Sequence, residues 1–325
     1  MVPGWQHYRE QLNRVDTKIR EWTSQGAAAI EKSSNHLLSS GGKRLRPLLV
    51  ILSAENFTCD GEEIISLAAA VELLHMATLT HDDIVDRDSM RRGRDSIKEM
   101  WGEDAAVLIG DYMFVRAFRK IVELGDKALI ASATEMTGDL CDGEIEQLFS
   151  EYETNMSEER YYRMIEKKTA HFFRFCCRAG AIQGGSDPEE EDLLADYGYN
   201  LGMTFQIVDD VLDVISNDEK LGKPVCSDLR SGSITLPLLK GVQDKSRGEE
   251  IKNLVLKGKN EELSDEELFR LKELIIESGA VDYAREKAGH YAEAARKALA
   301  RPEGKKFENR HHLQEIIEFV MEREN

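Results

Sequence analysis

Helical periodicity runs through this sequence almost from end to end and makes an all-α fold the way its apolar residues are buried. Apolar positions recur three and four apart in residues 5–25, 27–38, 61–88, 96–123, 126–151, 157–182 and 188–216, and no stretch alternates as a half-buried strand does. The segment LRPLLVILSAEN, from Leu45 to Asn56, reads as a buried helix. Pro47 is tolerated in its first turn because its missing N–H would have no partner there. Shorter helices follow ITLPLLKGV and end near Arg323. No linker separates two halves, and the loop at 216–233 is a hinge or lid candidate. The expectation is one all-α domain over residues 1–325, a bundle of roughly ten or more helices.

Hydrophobic residues make up 41% of the chain and charged residues 32%, a balance that builds a substantial core beneath a water-facing surface. Lysine and arginine number 43 against 61 aspartates and glutamates, a net charge of −18. Such a surface repels nucleic acid and anionic membranes, so phosphate binding must rest on local basic clusters or bridging cations. The N-terminus has no apolar signal core, and no window approaches about eighteen consecutive apolar residues, so neither secretion nor a membrane span is predicted and peripheral contact stays open. Five cysteines without metal-ligand spacing make a poor disulfide framework and point to a reducing, cytoplasmic interior.

The segment LTHDDIVDRDSMRRGR, residues 79–94, holds four aspartates and four arginines just after the apolar run ISLAAAVELLHMAT. Asp82 and Asp86 lie four apart, which on a helix sets both carboxylates on one face about 5–6 Å apart at Cβ, with Asp83 off that face. The spacing returns in FQIVDDVLDVI, where Asp209 and Asp213 share a face beside Asp210. A lone DDxxD more often ends a solvated helix. Two copies on long apolar helices reverse that reading, because buried carboxylates are costly unless paired or metal-bound. Facing each other across a bundle, they would hold hard divalent cations. Mg2+ fits best, since it takes a few carboxylates, waters and phosphate oxygens.

GGKRLRP places Lys43, Arg44 and Arg46 at a helix start, where free N–H groups and the dipole already favour anions. The spacing of a P-loop is absent, and a capped surface turn suits these residues equally well. Arg91 and Arg92 follow the first acid motif. Lys168 with Thr169 in EKKTAHFF, and Lys223 in LGKP, each read singly as surface. Gln206 sits one turn before Asp210. His75 lies two turns before Asp82 on about the same side, and alone it reads as a structural histidine.

Taken together, GGKRLRP, HDDIVDRDSMRRG, Gly110–Asp111, KKT, FQIVDDVLD and GKP…DL…TLP resemble, in kind and in order over residues 41–237, the trans-type polyprenyl (isoprenyl) diphosphate synthases, long-chain members above all. The resemblance implies a deep central cavity in the bundle and, usually, a homodimer. It implies a reaction in which an allylic diphosphate ionises, isopentenyl diphosphate attacks the carbocation, and a proton leaves to give a trans product five carbons longer. It also implies Asp82, Asp86 and Asp209 as Mg2+ ligands, Asp83 and Asp213 as secondary ones, and about two or three ions per active site. Arg91, Lys168, Thr169, Gln206 and Lys223 would hold the allylic diphosphate; Lys43, Arg46, His75 and Arg92 would hold isopentenyl diphosphate. Asp82, Asp86, Lys168, Gln206 and Asp209 would carry catalysis by stabilising charge on the departing diphosphate. Ser233 departs from the family, many of whose members have lysine there, and removes one cation from the expected allylic site.

The growing chain would run past the residues preceding Asp82, and a helix advances ~5.4 Å per turn, close to one isoprene unit. Short-chain members tend to place a bulky aromatic five residues before the first aspartate. Here that level holds Ala77, with Thr78 and Leu74 beside it, so a product of about six to ten units (C30–C50) is expected over farnesyl or geranylgeranyl diphosphate. The alternative is a floor supplied by YMFVRAF on another helix. A terpene cyclase would not need GGKRLRP and the second arginine of RRG. A non-catalytic subunit of a heteromeric synthase would be expected to lose acid motifs that are intact here.

Overall fold

The computed structural model describes residues 5–57, 61–86, 88–215, 227–300 and 309–323. After a 3-10 turn at Trp5–Tyr8 come α1 (Arg9–Thr23), α2 (Ala28–Ser39), α3 (Leu45–Ala54) and α4 (Gly61–Val85). A hairpin of β1 (Met90–Arg91) and β2 (Arg94–Asp95) leads to α5 (Ile97–Trp101) and α6 (Glu103–Glu123). Next are α7 (Lys127–Leu148), α8 (Glu158–Ile165), a π turn at Glu166–Ala170, α9 (His171–Gly184) and α10 (Pro188–Ile215). Then follow α11 (Ser227–Ser231), α12 (Leu236–Val242), α13 (Gly248–Gly258), α14 (Asp265–Glu277), α15 (Ala280–Ala298) and α16 (Arg310–Met321). The fold is all-α, as expected.

The chain divides into two compact units. The first takes Met1–Thr134, Phe175–Ala195 and Lys306–Leu313; the second takes Glu135–Arg174, Asp196–Lys305 and Gln314–Asn325.

In the first unit α4 packs against α1, α3 and α6. Its buried residues fall on every side, from Ile64 and Leu67 through Ala70, Leu73 and Ala77, so it is a core helix and not an amphipathic one. By length and composition α4 would cross a bilayer, but 72% of its apolar window is buried inside the protein. Glu62 and Glu63 in its first turn suit the positive end of the helix dipole. The predicted helix over 96–123 breaks at Gly102 into α5 and α6.

The hairpin is a departure from the expectation of no strands. Met90 pairs with Asp95 and Arg91 with Arg94. The two central residues both take left-handed backbone, Arg92 at φ 53° and Gly93 at φ 74°. That is the signature of a type I′ turn, whose twist matches two antiparallel strands.

The core of the second unit gathers Ile207 and Val211 of α10, Leu236 and Leu239 of α12, Leu271 and Ile275 of α14, and Ala284 and Ala288 of α15. Small alanines spaced along α15 let it close on α12. At the start of α14, Ser264 and Glu267 form a capping box that satisfies free N–H groups at its first turn. The helix predicted over 157–182 is interrupted by the π turn. A Cβ at Gly143 would sit 2.8 Å from the Lys168 backbone nitrogen, and one at Gly202 would sit 2.6 Å from Ala170 Cα. Residues without side chains on α7 and α10 therefore let both helices press onto that turn.

Candidate active site

Basic side chains in the first unit gather around one buried acid. Glu72, 4% exposed, accepts from Arg44 Nη1 at 3.2 Å, while Arg44 Nε lies 3.0 Å from Asp16 Oδ1 and Nη2 donates to the Leu38 carbonyl at 2.9 Å. Burial raises the Glu72 pKa, and the charges of Arg44, Arg46 and Arg92 oppose that rise. Arg44 sits at the start of α3 with φ 51°, an uncommon backbone state for a side-chain-bearing residue and a mark of functional sites.

Arg46 Nη1 lies 3.1 Å from His75 Nε2. A guanidinium only donates, so Nε2 accepts and the imidazole is neutral with its proton on Nδ1. Burial first, then Arg46, Arg92, Arg91 and Arg44, hold the His75 pKa well below its ordinary value. Arg92 reaches from the hairpin turn to the Gly41 carbonyl. Burial lowers its pKa, Glu72 opposes, and the neighbouring arginines lower it further. Arg44, Glu72, Met76, Leu79, Arg91 and Arg92 line a cleft here. Like charges held together in this way are relieved by a bound polyanion.

The first acid motif lies at the end of α4. The Asp86 N–H donates to the Asp82 carbonyl at 2.8 Å, so Asp86 continues the helical turn just past Val85. Both residues are partly exposed. Asp83 is fully buried and accepts from Arg91 Nε, whose Nη2 is also 3.7 Å from Asp88. Lys43 is exposed on the loop before α3. Of the residues tied to chain length, Ala77 and Leu74 are 0% and 1% exposed, and Thr78 is partly exposed, its hydroxyl donating to the His75 carbonyl at 2.9 Å.

In the second unit the π turn presents Lys168 and Thr169. Lys168 Nζ is 3.0 Å from Gln147 Oε1 and 3.0 Å from Glu144 Oε2, both on α7. The Thr169 hydroxyl donates to Gln206 Oε1 at 2.7 Å; Gln206 Nε2 donates to Asp210 Oδ1 at 2.9 Å; the Tyr161 hydroxyl donates to Asp210 Oδ2 at 2.5 Å. Burial pushes the Asp210 pKa up to about 7, against the two hydrogen bonds that favour its charged form. Asp209 Oδ1 lies 2.6 Å from Nη1 of Arg323, whose guanidinium stacks 4.7 Å over the Phe205 ring. Asp213 accepts from the Asp228 N–H at 3.2 Å. Ser233 meets the Ser231 hydroxyl at 2.9 Å.

Among the sequence-predicted residues, Arg46, His75 and Arg92 come together in one cluster, and Thr169 is bonded to Gln206. Lys168 turns to α7 instead of to that pair. Lys223, most of the 216–233 loop and Cys226 lie outside the described residues. Sequence reasoning missed Glu72, the Arg44 bridge, Tyr161 and Arg323. Glu72 left a signal, a lone acid inside AAAVELLH; the others depend on partners far along the chain. Among the described residues no three His, Cys, Asp or Glu groups converge as a ready-made metal cage. The acid pairs suit an ion that completes its shell with water and phosphate oxygens.

The sequence matches the family described as Polyprenyl synthetase over residues 27–271. It is 36% identical over 322 residues to the short chain isoprenyl diphosphate synthase of Methanothermobacter thermautotrophicus, covering 98% of each chain. It is 34% identical to the octaprenyl diphosphate synthase of Escherichia coli, covering 88% of each. The polyprenyl synthase of Caulobacter crescentus, solved with calcium and isoprenyl diphosphate, superposes with a TM-score of 0.91 at 35% identity, over 98% of this chain and 96% of that one. With both acid motifs and the GGKR and RRG elements standing inside a match of this extent, the chain belongs to the polyprenyl synthetase family and is a prenyltransferase.

Proposed function

We propose that the protein extends an allylic diphosphate with isopentenyl diphosphate to a long-chain trans-polyprenyl diphosphate of about six to ten units, in the presence of Mg2+. The observation that carries this reading is the arginine and histidine cluster around Glu72. Coupling two diphosphates requires a second anion site that does not depend on the acid motifs, and this cluster has the chemistry of one. Lys43, Arg46, His75 and Arg92 hold isopentenyl diphosphate there, His75 as a neutral donor through Nδ1–H. Arg91, Lys168, Thr169, Gln206 and Lys223 hold the allylic diphosphate. Arg91, fixed by Asp83, is thereby pre-oriented.

Asp82, Asp86 and Asp209 hold Mg2+, with Asp83 and Asp213 in a secondary part. When bound, the ions stabilise the charge that grows on the departing diphosphate. The cations around it do the same without reorganising, which is where electrostatic preorganisation lowers a barrier. Residues 1–325 serve as one prenyltransferase domain. The enzyme works as a homodimer in the cytoplasm, a compartment that suits the free thiols of Cys141, Cys176 and Cys177.

The complete burial of Ala77 and Leu74 favours a second reading, a shorter product of about four units, since neither side chain opens onto free space. One assay separates these. Purified protein is given Mg2+, radiolabelled isopentenyl diphosphate and allylic primers of increasing length, and the products are resolved by size. Long chains support the first reading and a stop at about four units the second; no incorporation of label refutes both. Asp82→Ala lowers turnover by about two orders of magnitude or more, because charge stabilisation is lost at ionisation. Near-normal turnover in that variant would place the metal elsewhere.

A further inference from the structure

Asp210 belongs to the second acid motif by sequence, yet its surroundings differ from those of Asp209 and Asp213. It is 3% exposed, and both its oxygens are engaged by side chains, Oδ2 by the Tyr161 hydroxyl at 2.5 Å and Oδ1 by Gln206 Nε2 at 2.9 Å. Tyr161 is itself 1% exposed on α8, with its ring packed edge-on against Tyr162 at 5.4 Å. Neither group faces solvent.

The direction of these bonds fixes Gln206. Its Nε2 donates to Asp210 Oδ1 at 2.9 Å, so the amide nitrogen faces Asp210 and the amide oxygen faces away. That oxygen then takes the proton of the Thr169 hydroxyl at 2.7 Å. With one Nε2 hydrogen spent on Asp210, the second is left to donate. Through this bond the Thr169 hydroxyl braces the amide. If the acid were lost, the amide would be free to turn over and offer its oxygen, which repels a phosphate oxygen.

We propose that Tyr161 and Asp210 are positioning residues that lock the Gln206 amide with its nitrogen toward the allylic diphosphate, and that Asp210 takes no part in holding Mg2+. This rests on the reading of Gln206 as an allylic-diphosphate residue. Tyr161 and Asp210 act through Gln206 and touch no substrate atom.

The test is steady-state kinetics of Tyr161→Phe, Gln206→Ala and the double variant, with a melting curve for each. Phenylalanine keeps the ring and its packing and removes only the hydroxyl. The expected result is a rise of about tenfold in KM for the allylic diphosphate in both single variants, the effect of one hydrogen bond to a charged group. KM for isopentenyl diphosphate and the Mg2+ concentration for half activation stay within about twofold of the parent. In the Gln206→Ala background, Tyr161→Phe adds nothing further to KM, because the two act on one contact.

If Gln206→Ala raises that KM while Tyr161→Phe leaves it unchanged, whatever the melting temperature does, the pair is only structural and the proposal is overturned. A rise in the Mg2+ requirement with unchanged KM makes Asp210 a metal residue and overturns it too. If neither variant moves the allylic KM, the reading of Gln206 itself fails and the proposal with it.

Discussion

A proton on His75 would join the charges of Arg46, Arg92, Arg91 and Arg44, in a place where burial already disfavours charge. The folded protein therefore keeps this imidazole neutral well below the ordinary histidine range, whereas the unfolded chain takes up the proton near pH 6.5. Below that pH the unfolded state binds more protons, so stability is complete at higher pH and lost as pH falls. His75→Gln removes this dependence. Denaturant titrations between pH 7 and 5 should show a slope of stability against pH reduced by up to about 1.4 kcal/mol per unit. An unchanged slope would mean that His75 takes its proton in the folded state. At this scale the sequence discloses a charge that is out of place in its own helix: Asp209 and Glu72 stand in apolar runs, and Asp82 comes just after one. It does not disclose the partner when that comes from far away. Tyr161 is 49 residues from Asp210, and no spacing rule joins them.

Elements were legible where one helical period persists and illegible where the backbone changes hand or pitch. The RRGR hairpin depends on Arg92 adopting left-handed backbone, which its side chain gives no cue for. The π turn at Glu166–Ala170 inserts a wider turn into a sequence that continues to read as helix, and packing by α7 and α10 at Gly143 and Gly202 accompanies it. One element shows more than its period required. Along α6, Ala106, Ile109, Met113 and Ala117 are buried, while Leu108, Val115 and Val122 remain 68%, 66% and 52% exposed at heptad spacing. Such a stripe is self-complementary about a two-fold axis. Laid antiparallel on a second copy of itself about Val115, α6 sets Asp111 of one copy opposite Arg119 of the other. If two copies pair through this stripe, Leu108→Glu with Val115→Glu converts the dimer to a monomer in light scattering without lowering the melting temperature of the remaining fold. A dimer that survives both changes would put the interface on another face.

At the scale of the molecule, the all-α class followed from periodicity alone, but the two compact units did not. Each is assembled from three separate stretches of chain, so no local change in composition marks their border. Product length belongs to this scale as well, because it asks how far an apolar chain extends through the protein. From Asp82 back to Gly61, α4 runs 21 residues, about 31 Å at a rise of ~1.5 Å, enough to wall roughly six isoprene units. A phenylalanine at residue 77 would stand about 7.5 Å along that path, near the level of the second isoprene group of the chain. If the path follows this face, Ala77→Phe shortens the product while turnover and melting temperature stay near those of the parent. If Ala77 instead packs against a neighbouring helix, the added ring overfills a core position that is 0% exposed, at a cost of about 1–3 kcal/mol. The melting temperature then falls and the product keeps its length. Measuring both quantities on one variant decides between a wall and a core, and a lowered melting temperature with unchanged product would move the floor of the path to another helix.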